Sequence, residues 1–186
     1  ISATLASMGI ALGIMVANLS SHKRGWDDRW KEFSDWAEKG QNIKNKLIQL
    51  IDEDTNAFNK LMDAFALPKN NDNEKLIRKN AIQEATKYAI EVPVKVMELA
   101  VEAMKIIKMM AEIGNPNSVS DAGVGAIATK AAVKGAFLNV LINSSSYNDK
   151  KYVEEIIKKC NQLDDTASTI EKEILQTVMN KINSKQ

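Results

Sequence analysis

Along almost the whole chain apolar residues recur every three or four positions, and no stretch alternates with the period of two that a strand requires. Only three prolines fall in the 186 residues, so the helical patterns run nearly uninterrupted. The pattern predicts an all-α fold, a bundle of about five long antiparallel helices forming one domain over 1–186. The first helix is read over 2–21, and the second from after Gly25 to about Leu67, with Gly40 bending or breaking it. A third covers about 74–113, a fourth 121–143 and a fifth about 150–183. Pro93 lies inside the third and predicts a kink near 89–93. Asn73 or Asp72 is the expected cap of the third helix, and Ser118 or Ser120 that of the fourth.

The seams follow from the same spacing. On the second helix Trp26, Trp30, Phe33, Leu47, Ile51, Phe58 and Phe65 share the predicted core stripe, with Trp36 off it and free to cover a partner. The fifth helix packs through Val153, Cys160, Ala167, Ile174 and Val178, which makes Cys160 an inert packing residue. The opening stretch ISATLASMGIALGIMVANL is uncharged for 19 residues, about a bilayer's span. Its serines, threonine, asparagine and small residues keep its hydrophobicity modest, so it reads as a buried helix of a soluble bundle, with no membrane partner. Gly9, Gly13 and Ala17 give that helix a smooth stripe for close packing. The chain opens on Ile1 rather than methionine, which reads as a missing true start.

Lys+Arg (25) and Asp+Glu (24) nearly cancel to +1, which offers nothing to nucleic acid. A single cysteine excludes an intrachain disulfide and fits a reducing, cytoplasmic setting. One cysteine and one histidine, His22, cannot supply the usual zinc ligands, and no metal is expected. His22 is read as a surface residue.

Polar residues break the seams at informative places. Asp54 sits between Ile51 and Phe58 on the second helix, either at the watered edge of the seam or facing a cleft. On the fourth helix Asp121, Gly125, Ala128, Ala132, Gly135 and Asn139 share one face, with Asn143 a turn further. The opposite face, with Val124, Ile127, Ala131, Phe137, Val140 and Leu141, is expected to fill the core. Asp121 either looks into a groove along the small-residue face or caps its own helix. Lys23, Arg24 and Lys69 stand in turns, where an anion could be met.

Short pieces in order then carry a resemblance: GIALGIMVANL and KRGW, DEDTNAF, LPKN, Arg78, AIQEATKYAIEVP, the GN at 114–115, the SD at 120–121, and FLNVLIN. Together they resemble the cyclodeaminase/cyclohydrolase family of folate enzymes, over nearly the whole chain to about residue 155. Members carry a Gly-rich loop before the first helix, and this sequence begins where that loop would end. The resemblance implies an all-helical homodimer that binds reduced folate between facing helices and needs no separate cofactor. It implies cyclisation of 5-formimino-tetrahydrofolate to 5,10-methenyl-tetrahydrofolate with loss of ammonia, or hydrolysis of the methenyl form in related members. Asp121 is the first candidate for moving the proton and Asp54 the second. Asn115, Ser120, Asn139 and Asn143 are candidates for holding the folate. Lys23, Arg24 and Lys69 are candidates for the carboxylates of its glutamate tail, of which a polyglutamylated substrate would carry several. A non-catalytic helical scaffold is the alternative of a different class.

Overall fold

The computed structural model describes residues 1–184, which form five α-helices and no strand. They are α1 (Ser2–Ser21), α2 (Trp30–Ala66), α3 (Asp72–Ile113), α4 (Val119–Ser144) and α5 (Lys150–Asn183), with 3₁₀ turns at Asp27–Arg29 and Pro116–Ser118. The hub is α3. Around it stand α2, α1, α4 and α5 in that order, each touching its neighbour and α3. The open side of α3, between α5 and α2, is charged and holds Lys95, Glu98, Glu102 and Lys105. Successive helices run antiparallel, as the all-α bundle reading requires.

Small residues set the closest approaches. A Cβ at Gly9 of α1 would collide with Thr129 Oγ1 and lie 2.7 Å from the Gly125 carbonyl oxygen of α4. Gly135 faces Ser2 in the same antiparallel register, and Gly13 rests on Ile107 of α3. Gly40 does not break α2; it receives Ile14 of α1, which lies 2.7 Å from where its Cβ would be. Gly25 (φ 84°) turns the chain between α1 and α2 in the left-handed region that favours glycine. The third helix begins at Asp72, two residues earlier than expected. Asn71 caps it, accepting from the Glu74 N–H at 2.9 Å, while the Glu74 carboxylate accepts from Asn70 N–H at 2.7 Å. The fourth helix also starts earlier, at Val119; Ser118 holds the cap position without a side-chain bond, and Ser120 lies inside the first turn.

Two seam assignments are corrected by the packing. In the distal half of α2, Ala57 and Ala64 are buried and Phe58 and Phe65 are exposed. Close approach to α3, where Ala81 and Ala85 face Ala64, selects the small residues one position away from the bulky ones. Trp30 is 58% exposed rather than core, whereas Trp26 stacks on buried Phe33 and Trp36 packs against the core's edge. On α4 the expected polarity is reversed over much of its length. The Gly/Ala face is buried on α1, and Val124 (56%), Ile127 (51%) and Leu141 are exposed; Phe137 and Val140 are buried as expected. By length and composition α1 and Pro116–Ser144 are each apolar enough to cross a membrane. In the bundle they pack on each other and on α3, and their outer faces stay uncovered.

Candidate active site

At the start of α1 the bundle encloses a cavity of about 130 Å³. Its walls are Ile1, Ser2 and Ala3, then Leu50, Ile51, Asp54 and Thr55 of α2, Pro93 and Val96 of α3, and Ala136 and Asn139 of α4. The spacing that points Leu47 and Leu50 into the core carries Asp54, a turn later, to the cavity. Asp54 is thus exposed and also faces a cleft, so both sequence readings of it hold in part. Asn139 of α4 lines the same cavity, which brings two of the sequence candidates together.

Asn143 lies one turn beyond Asn139, but its amide is already engaged. Pro93 has no N–H, so the carbonyl of Ala89 lacks its helical donor. The Asn143 Nδ2 donates to that carbonyl at 2.8 Å. The helix α3 continues through Pro93, and this bond ties α4 to it.

The other candidates stand at the far end of the α1–α4 pair. Asp121, half-buried in the first turn of α4, lies about 27 Å along the helix from Asn139 at 1.5 Å per residue. Beside it the Asn115 N–H donates to Ser20 Oγ at 2.7 Å, and Asn115 Oδ1 accepts from Asn117 N–H at 3.1 Å, joining the end of α1 to the α3–α4 turn. Ser120 is exposed. Lys23 places its ammonium 3.8 Å from the Trp26 ring centre, and Arg24 projects into solvent. Ser21, His22, Asp27, Trp30 and Ser34 line a cavity of about 440 Å³ at this end. Within one chain, therefore, Asp121 and Asp54 do not share a site.

Lys69 lies in a third place, a cleft of about 310 Å³ shared with Lys75, Arg78 and Lys79, of which Lys75 is paired with the Asp72 carboxylate at 2.9 Å. Arg78 is held there by donating to the Phe65 carbonyl at 3.0 and 3.2 Å, at the end of α2. Sequence reasoning found Lys69 but gave no role to the other three. Their signal was the K-x-x-R-K spacing, which sets Lys75, Arg78 and Lys79 on one side of α3. The cleft is about 20 Å along α2 from Asp54. Among the described residues no three His, Cys, Asp or Glu side chains are placed to hold a metal ion. Cys160 is fully buried, and burial pushes its thiol up to about 11, so it is inert at neutral pH.

A family model described as formiminotransferase-cyclodeaminase matches residues 1–162. A methenyltetrahydrofolate cyclohydrolase of Methylorubrum extorquens is 35% identical over 182 residues, covering 98% of this chain and 88% of that protein. The formimidoyltransferase-cyclodeaminase of Gallus gallus is 35% identical over 155 residues; the match covers 83% of this chain and only 29% of the longer protein. The crystal structure of formiminotetrahydrofolate cyclodeaminase from Thermotoga maritima superposes with a TM-score of 0.84 at 25% identity, over 97% of this chain and 86% of that one.

Proposed function

The chain belongs to the formiminotransferase-cyclodeaminase family of folate enzymes, and on that premise we propose that it closes the 5,10-methenyl bridge of tetrahydrofolate by expelling ammonia from the 5-formimino form. The observation that carries this reading is the cavity that Asp54 and Asn139 both line. In the reaction N10 attacks the formimino carbon and gives up its proton as the imine nitrogen gains one. That carbon then bears N5, N10 and an amino group. A further proton on the amino nitrogen lets it leave as ammonia, and the bridge keeps the positive charge. A carboxylate beside the carbon moves the N10 proton and stabilises the cation that forms. Asp54 is the group proposed for this role, and the Asn139 amide would offer a donor and an acceptor to the pterin edge. N5 and N10 belong to one molecule, so holding the ring lets its own geometry supply much of the rate.

A second reading has its own support. The Methylorubrum extorquens relative, matched over nearly its full length, is a cyclohydrolase. Water then takes the place of the amine on the same carbon, and the N5–carbon bond opens to leave a formyl group on N10. Both reactions use one proton-moving group at one ring. Following ammonia and the absorbance of the methenyl product from 5-formimino-tetrahydrofolate, and loss of that absorbance from 5,10-methenyl-tetrahydrofolate, separates them. Asp54→Asn is expected to lower the reaction rate by roughly 10²–10⁴-fold with little change in unfolding midpoint. Near-normal turnover would remove Asp54 from the chemistry.

The Lys69 cleft is the proposed seat of the glutamate tail, whose carboxylates would meet Lys69, Arg78 and Lys79 there, with Lys75 already paired to Asp72. Lys69→Ala is expected to weaken affinity for the polyglutamylated substrate several-fold with little change in turnover. Equal affinity for mono- and polyglutamyl forms before and after the substitution would count against it. The working form is proposed to be a homodimer.

A further inference from the structure

Two side chains hold the end of α4 and the turn after it on α3, and neither lines the Asp54 cavity. Asn143 Nδ2 donates to the Ala89 carbonyl at 2.8 Å. Past it Gln83 takes the turn itself: its Oε1 accepts from the Asn148 N–H at 2.8 Å, and its Nε2 donates to the Ser146 carbonyl at 3.2 Å. The cavity begins one helical turn before Asn143. Pro93 and Val96 are its α3 wall, Ala136 and Asn139 its α4 wall. Asn139 is the polar group of that second wall, yet among the described residues its amide has no hydrogen-bond partner. Its direction is therefore set by the helical turn on which it stands, and that turn ends at Asn143. In an α-helix the N–H of residue 143 meets the carbonyl of residue 139, and side chains four apart lie on one face.

Pro93 supplies the anchor. Elsewhere in a helix each carbonyl is taken by the N–H four residues on, but Pro93 has none to give to Ala89, and its ring crowds that carbonyl out of line. One residue thus both lines the cavity and opens the acceptor to which α4 is fixed. Resting on the folate reading, we infer that Asn143 is a positioning residue: by holding the last turn of α4 at the proline gap, it sets the register of Asn139 relative to the Pro93 wall and with it the affinity of the cavity for the pterin ring. The buried side chains of Ala136 and Val140 keep α4 on the bundle, but apolar contact is non-directional. Rotation by about 20° about the α4 axis, at the radius of about 5 Å where side chains end, displaces the Asn139 amide by roughly 2 Å, more than a hydrogen bond tolerates. The Asn143 bond forbids that rotation, and the Gln83 bonds keep the end of α4 in place when it is lost.

Steady-state kinetics with whichever folate wild type turns over tests this. Asn143→Ala is expected to raise KM about fivefold, close to the worth of one hydrogen bond, with kcat little changed. In an Asn139→Ala background the same substitution should raise KM no further, because the group it positions is gone. A bond that only satisfied Ala89 would lower the unfolding midpoint and leave KM alone. Where Asn143→Ala is too unstable to assay, Asn143→Gln carries the same test, since it keeps the donor on an arm one carbon longer and displaces the register. Wild-type KM in the variant assayed, or an equal rise with and without Asn139, overturns the positioning role and leaves the folate reading standing. Position is also read without turnover, from the side-chain amide signals of Asn139 in heteronuclear NMR spectra, identified by their loss in Asn139→Ala. They are expected to shift in Asn143→Ala and in Asn143→Gln. Unchanged signals overturn the inference. Shifted signals in a protein whose wild type turns over neither folate leave the positioning of Asn139 standing while the folate reading fails.

Discussion

Pro93 and Asn143 act as a pair across α3 and α4. The proline leaves the Ala89 carbonyl without a helical donor, and the Asn143 amide supplies one at 2.8 Å. Asn143→Ala is expected to cost about 1–3 kcal/mol in urea denaturation, because the carbonyl is left unpaired. In a Pro93→Ala background the restored N–H meets that carbonyl, so the same substitution should cost about 1 kcal/mol less. Equal costs in both backgrounds would show that the bond does not act through Pro93. A second residue-scale prediction concerns Asp164, which accepts from Lys130 at 2.6 Å and Lys134 at 3.0 Å. Burial is the largest single influence on this carboxyl and acts upward. The lysine bonds and charges together outweigh it, so the group sits below its ordinary value. A lowered folded-state value stabilises the fold above the unfolded value, near pH 3.9, and that stability is lost as pH falls through the lowered one. Asp164→Asn should therefore be less stable than wild type at pH 7 by about 1–3 kcal/mol. The gap should close progressively below about pH 4, as chemical denaturation at a series of pH values will read.

Between elements, the α1–α4 contact depends on backbone approaching backbone. A methyl group at Gly125 would lie 2.8 Å from the Gly9 carbonyl oxygen, an atom that cannot yield without moving α1. Gly125→Ala is expected to lower stability by about 1–3 kcal/mol despite the better helix propensity of alanine, measured by thermal or urea unfolding. Gly123→Ala, whose added carbon meets Val178 at ordinary contact distance of 3.5 Å, is the control and should be near neutral. This level also shows how far the sequence could be read. Helix number, order and most ends were legible because apolar spacing and turn residues act locally. The small stripe of Gly9 and Gly13 was legible too. Which face of α4 is buried was not: its greasy and its small-residue faces both repeat at helical spacing, and only the presence of Gly9 opposite Gly125 decides between them. The shift from Phe58 and Phe65 to Ala57 and Ala64 has the same cause, since the distance between two helices is a property of the pair. Asp54 was legible as an interruption of a seam, whereas its cavity is made by three other helices whose meeting no local pattern encodes.

At the scale of the molecule, one chain leaves a long apolar face uncovered and its candidate carboxylates at opposite ends of α1 and α4. The homodimer proposed above would connect these two facts were it to close across that face, and substitution in the middle of the face, away from both ends, separates assembly from chemistry. Ile127 is 51% exposed and faces outward from α4. In a single chain Ile127→Glu should change neither helical content nor the Asp54 cavity, since a surface glutamate is a good helix former. In the dimer it would bury a carboxylate without a partner, and symmetry imposes that penalty twice. Sedimentation should therefore show monomers at concentrations where the proposed wild-type homodimer forms. Each 1.4 kcal/mol of lost association raises the dissociation constant about tenfold, so at a concentration near the wild-type constant turnover per chain should fall at least about threefold, although every candidate site residue is unchanged. For wild type, the same argument predicts that activity per chain declines on dilution through the dimer dissociation range and returns on concentration. A monomeric Ile127→Glu protein with full turnover would leave the chemistry within one chain and assign the apolar face another purpose.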